Sequence, residues 1–208
     1  MGVLEQALGG SAVVIEFPRT GVQDWMAVAE VLLQEGLRVW SVPSSLLHLM
    51  PELLAVYGRR ARVGVSGVVD REGVRAAADA CAHFLLAPIG DPGLVQEAGP
   101  IPLLLGGLTP VEVAAAVRAG AEAVLVSPAD VMGSAYARTL PPLFPHVPLV
   151  ACGRLERYQC EMWLDAGARA VVVQDVVVRP EDGSTVNDVD EVARRAAPFG
   201  QLVATRGF

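Results

Sequence analysis

Eight times along the chain a short run rich in Val, Leu and Ile gives way to a longer segment of helical period. That alternation constrains the fold more than any other feature. A run that stays apolar on successive residues suits a strand covered on both faces, as in a parallel sheet whose crossover connections are helices. The strands expected are 12–17, 37–42, 62–66, 83–87, 102–105, 123–127, 148–152 and 169–178. The helices expected between and after them are 22–35, 45–57, 71–81, 92–97, 109–120, 135–140, 155–165 and 189–197. Punctuation agrees with the period: Gly36, Gly120 and Gly167 close helices, and Thr109-Pro110-Val111-Glu112 opens one with a capping residue and Pro in the first turn. Eight βα units fit a closed (β/α)8 barrel of the α/β class. An open doubly wound sheet calls for fewer strands or a glycine-rich fingerprint after the first. A single domain over 1–208 is expected, since no low-complexity linker divides the chain, and the polar stretch 179–187 is expected to be a mobile loop before the last helix.

Charge narrows the partners. The 16 basic residues are all Arg, there is no Lys, and 23 acidic residues bring the formal net charge to -7. Nothing resembles a basic stripe that would track phosphates, so nucleic acid is not an expected partner. No apolar stretch reaches the length of a membrane-spanning helix, Glu5 interrupts the N-terminal apolar run, and no basic segment precedes it, so neither a membrane nor a signal peptide is expected. Cys81, Cys152 and Cys160 are odd in number and lack metal-type spacing, which favours a reducing, cytoplasmic setting over a disulfide framework. The missing lysine reads as compositional bias where a surface charge is concerned, because Arg serves as well there. It excludes any chemistry that requires a lysine amine.

Barrel enzymes carry their sites at the C-terminal ends of the strands. That rule selects Glu16, Ser41, Ser45, Ser66, Ser127, Cys152, Arg154 and Asp175. Two readings stand for this set: Glu16 as a base with Arg154 clamping an anionic ligand, or residues that cap strands and line a solvated mouth. Cys152 reads as an apolar filler rather than a nucleophile, because no neighbouring base would lower its pKa. His48, His83 and His146 fall on different units without ligand spacing, so neither a metal site nor a cofactor is expected. Glu161 and Asp165 form an acidic helix face, and Arg59, Arg60 and Arg62 form a basic turn that reads as solvated or as an anion or subunit contact.

Three fragments carry a family likeness: Gln34-Glu35-Gly36-Leu37-Arg38-Val39, Ala119-Gly120-Ala121-Glu122-Ala123-Val124 running into Pro128-Ala129-Asp130, and Trp163-Leu164-Asp165-Ala166-Gly167-Ala168. With Ile101-Pro102-Leu103 and Gly106 ahead of Thr109-Pro110, their order resembles the 2-keto-3-deoxy-6-phosphogluconate (KDPG) and 4-hydroxy-2-oxoglutarate (KHG) aldolase family over 12–178. The resemblance implies a TIM barrel, a homotrimer, and cleavage of a 2-keto-4-hydroxy acid to pyruvate and an aldehyde. It also implies a Schiff-base lysine on the sixth strand, where this chain has Leu125, and an acid/base glutamate on the second, where it has Ser41. The arginine that would hold the substrate carboxylate is Ser45. An aliphatic side chain offers no amine, a serine has no accessible pKa for cycling a proton, and one hydroxyl cannot replace a bidentate cation. The phosphate cradle departs as well, with Cys152-Gly153-Arg154 after strand seven and Val173-Gln174-Asp175 on strand eight. Arg154 is expected to pair with Asp175, with anion binding as its other role. The barrel is therefore expected to be an aldolase homologue without the lysine chemistry, a binding or scaffold protein. The alternative is a carbon–carbon lyase or other enzyme acting on a small 2-oxo acid by a lysine-independent route. Either way a small oxo acid or other anion is the ligand expected at the mouth, which is either open and polar or filled by Leu125, Trp40 and their neighbours.

Overall fold

In the computed structural model, which describes residues 2–181 and 187–206, the apolar runs become a closed barrel of parallel strands in sequence order, the eighth pairing with the first. The strands are β1 (Val13–Glu16), β2 (Val39–Pro43), β3 (Arg62–Ser66), β4 (Leu85–Ala87), β5 (Leu103–Gly106), β6 (Ala123–Val126), β7 (Leu149–Gly153) and β8 (Ala170–Val173). A short helix, α1 (Val3–Ala7), precedes them. The crossover helices are α2 (Trp25–Gln34), α3 (Met50–Tyr57), α4 (Arg71–Asp79), α5 (Pro92–Ala98), α6 (Pro110–Arg118), α7 (Gly133–Leu143) and α8 (Arg157–Asp165), and α9 (Val189–Arg206) closes the described chain. A 3-10 segment, Ser44–Leu49, leads into α3, and another, Asp130–Met132, leads into α7. The caps work as the sequence implies: Thr109 Oγ1 accepts from the Glu112 amide while Glu112 accepts from the Thr109 amide, and Asp24, Asp70 and Asp91 cap α2, α4 and α5.

Successive strand residues face opposite sides, so the near-continuous apolar runs feed two cores. The outer core lies between barrel and helices and holds Ile15, Trp40, Val63, Val65, Leu105, Val124, Val126, Val171 and Trp163. The inner core fills the lumen with Val14, Val39, Phe84, Leu86, Leu104, Leu125, Val150, Cys152 and Val172, and Leu4 and Ala7 from α1 belong to it with Leu8, which follows the helix. Helix α1 therefore plugs the N-terminal end of the barrel. Lumen packing is tight at Gly64, where an added Cβ would come within 2.4 Å of the Phe84 ring.

Three elements differ from expectation. Helix α1 is absent from the sequence reading because five residues between glycines give no period to detect. Strand β8 spans four residues rather than the ten expected: Asp175 has φ +52°, which no strand accommodates, and Val176, Val177 and Val178 are buried as loop. Helix α9 runs on through Pro198 to Arg206, held by buried Phe199 and Leu202 and by Gly200, which lies so close to the Glu35 carbonyl at the end of α2 that a Cβ there would sit 2.1 Å from it. The stretch expected to be mobile falls largely on 182–186, outside the described residues. Its described ends are tied together by Asn187, which accepts from the Arg179 amide at 3.0 Å and donates to the Arg179 carbonyl at 2.7 Å.

Candidate functional site

The C-terminal mouth of the barrel is built around one carboxyl. Glu16 ends β1 and lies opposite Ser41 in the register of β2, so the strand geometry itself brings Ser41 Oγ to 3.5 Å from Glu16 Oε2. From the far side Gln174, just past β8, donates its side-chain amide to Glu16 Oε1 at 3.0 Å. The carboxyl is only 7% exposed, and burial pushes its pKa from 4.5 up to about 7, because the charged form loses hydration that its neighbours only partly replace. Gln174, Ser66 and the Arg19 guanidinium pull in the opposite direction, while the charge on Asp175 adds to the rise. The result is a proton donor and acceptor poised near neutrality.

Ser66, the last residue of β3, faces the same carboxyl but falls short of a full hydrogen bond. Among the described residues its Oγ is the one buried side-chain oxygen or nitrogen without a partner. A buried hydroxyl left unpaired costs about 1–3 kcal/mol, so the position favours a ligand atom that would pair with it. Cys152 closes this group on β7. Its thiol is raised well above the ordinary range, first by burial and then by the Glu16 charge, with a Ser127 hydrogen bond opposing. A thiol held protonated in this way is no nucleophile.

Above these residues the mouth opens into two hollows. One, of about 320 Å³, is lined by Glu16, Arg19, Thr20, Gln174 and Asp175. The other, of about 560 Å³, lies over the ends of β4, β5 and β6 and is lined by Ile89, Gly90, Gly106, Glu112 and Ser127. Gly106 is required there, since a Cβ would lie 2.3 Å from the Pro88 carbonyl oxygen. Between them the lumen floor is apolar, with Leu125 buried on β6 in contact with the inner core rather than presenting any polar group.

The residues expected at the mouth divide accordingly. Glu16, Ser41, Ser66 and Cys152 come together, Ser127 hydrogen-bonds toward Cys152, and Asp175 reaches the smaller hollow. Ser45 lies exposed in the 3-10 segment instead. The expected Arg154–Asp175 ion pair does not form among the described residues: the chain turns at Gly153, whose carbonyl accepts from the Leu155 and Gln174 amides, and leaves Arg154 exposed outside both hollows. Trp40 does not fill the mouth either; it points into the outer core, donates to the Leu37 carbonyl at 2.7 Å and packs edge-on against Phe17 and Tyr57. Arg19 and Gln174, to which sequence reading assigned no role, stand beside Glu16 where Arg154 was expected, and the signal for Arg19 was its place two residues past the Phe17 that follows β1. Among the described residues no three His, Cys, Asp or Glu side chains converge as a metal site would require.

No curated protein matches the chain in sequence. Solved structures match its fold. A KDPG aldolase from Zymomonas mobilis ZM4, solved with 3-phosphoglycerate, superposes with a TM-score of 0.80 at 20% identity, covering 94% of this chain and 93% of that one. The native KDPGal structure superposes at 0.81 with 20% identity over 93% and 95%. A KDPG aldolase from Legionella pneumophila, with pyruvate captured as a covalent carbinolamine, superposes at 0.73 with 17% identity over 97% of each chain. The sequence profile of KDPG and KHG aldolases matches residues 10–195, nearly the whole barrel. This chain belongs to the KDPG and KHG aldolase family.

Proposed function

We propose that this member of the family is a non-catalytic barrel that binds a small 2-oxo acid, or a similar carboxylate, at its mouth. The observation that carries this reading is Leu125, buried in the lumen of a chain without a single lysine. The Legionella relative holds pyruvate as a covalent carbinolamine, and an adduct of that kind needs an amine that Leu125 does not have. The mouth nevertheless keeps groups suited to a carboxylate. Protonated Glu16 donates, the unpartnered Ser66 hydroxyl donates, and Arg19 supplies charge from the rim. An assembly of three copies, in a cytoplasmic setting, completes the proposal, and exposed Val111, Val131, Leu143 and Tyr158 offer apolar surface for it.

The test is thermal stability against pyruvate at two pH values. Below pH 7 a neutral Glu16 donates to the ligand carboxylate, and above it the two charges repel. The upward shift in Tm should therefore be larger at pH 6 than at pH 8, and Glu16→Gln should retain it at both. No shift for pyruvate or other 2-oxo acids at about 10 mM would count against the reading, since binding that weak leaves the mouth empty.

The poise of Glu16 favours a second reading, in which its carboxylate removes a proton next to the ligand carbonyl and returns one from solvent. In heavy water the methyl protons of pyruvate would then exchange faster with the native protein than with Glu16→Gln. Equal rates would leave the binding role alone.

A further inference from the structure

The opposite end of the barrel carries a third hollow with a different chemistry. It has a volume of about 350 Å³ and is lined by Arg38, Arg59, Arg60 and Arg62 together with Gly9 and Gly10. Sequence alone explains why the four meet. Arg38 immediately precedes β2 and Arg62 opens β3, and the Arg62 amide donates to the Arg38 carbonyl at 2.8 Å, so the two strands present them side by side at the barrel's base. Arg59 and Arg60 lie in the turn after α3, which the Arg60 and Ala61 amides close on the Tyr57 carbonyl. The α1–β1 connection supplies the other wall, where Gly9 and Gly10 have positive φ and a Cβ on Gly9 would come within 3.3 Å of the Arg62 stem.

This is a quarter of the basic residues of a chain whose net charge is -7, gathered where no Asp or Glu lines the wall. Their charges are poorly compensated. Among the described residues Arg38 and Arg59 have no hydrogen-bond or ion-pair partner, Arg62 donates only to the Ala7 carbonyl at 3.4 Å, and Arg60 reaches Glu30 at a long 3.5 Å while lying over the Tyr57 ring. Like charges held together at a concave surface repel, and the field is focused rather than cancelled. Guanidinium groups answer that situation by binding phosphate oxygens in bidentate pairs.

We infer that this basal hollow is a binding site for a small phosphorylated anion carrying two or more charges, separate from the mouth and independent of what the mouth does. Four arginines around a hollow of about 350 Å³ supply more positive charge than a single carboxylate can neutralise, and so suit a diphosphate better. Residues at the base of such barrels ordinarily serve stability alone, and a set of uncompensated cations adds nothing to stability until an anion joins them.

Inorganic pyrophosphate is the probe. Calorimetric titration at low salt should give saturable one-to-one binding, weakening as salt is raised. The exposed pair Arg38→Ala with Arg59→Ala should weaken it by about tenfold or more, consistent with the loss of charge-assisted contacts, while circular dichroism and Tm show the fold retained. Arg60→Ala, which also gives up the Tyr57 contact, serves as a second variant with the same expectation. Glu16→Gln at the mouth should leave pyrophosphate affinity unchanged. Absence of binding up to about 10 mM, or equal affinity in the native protein and the double variant, would overturn the inference.

Discussion

Glu16 shows how a single buried side chain couples the mouth to pH. Its pKa lies near 7 in the folded chain against 4.5 ordinarily, so between those values the folded state holds a proton that the unfolded state has released. Stability therefore falls as pH rises through that window, by about 3 kcal/mol for a group displaced this far. Glu16→Gln should flatten the fall and make the protein more stable than the native chain at pH 8, as urea melts at pH 5 and pH 8 would register. A variant that keeps the native pH slope would mean the carboxyl is already charged in the mouth. The cysteines differ in the same residue-level way. Cys81 is exposed, whereas Cys152 and Cys160 are buried with their thiols held protonated. Treatment of the folded protein with iodoacetamide should add one carbamidomethyl group, mapped to Cys81 by mass spectrometry, with the other two labelled only after unfolding.

Packing between elements sets the second group of expectations, and it is also where sequence and structure part company. Strand β3 begins and ends at the residues its pattern implies, 62–66, because Arg62 and Ser66 bound an apolar run on both sides. Strand β8 does not, because a run of buried valines satisfies burial equally well as strand or as loop, and only the left-handed Asp175 decides between them. Pro198 reads as a helix stop, yet α9 continues past it since Phe199 and Leu202 gain more by burial against the barrel than the missing amide loses. In the site, Glu16, Ser41, Ser66 and Cys152 were legible because strand ends converge by rule, whereas Arg19 and Gln174 lie beyond strand ends, where loop path rather than period decides position. Two glycines test this packing. Gly200→Ala should push α9 off the end of α2, and Gly64→Ala should displace Phe84 from the lumen. Each should cost about 1–3 kcal/mol by chemical denaturation, with the m-value unchanged if the fold survives.

The molecule as a whole is an aldolase-family barrel whose lumen is apolar, with Leu125 of β6 buried in it. The closed sheet, the plug formed by α1 and the crossover helices frame a mouth that holds a carboxyl, two serines and a rim arginine. If the chain assembles as a trimer, light scattering should return three times the 21.8 kDa of one copy; a monomer would leave the exposed valines of α6 and its neighbours to some other contact. The proposed function requires that this barrel form no imine with pyruvate. Incubation with pyruvate and borohydride, followed by intact-mass measurement, tests it directly. An unchanged mass is expected, and a reduced pyruvate adduct on the folded chain would overturn the proposed function.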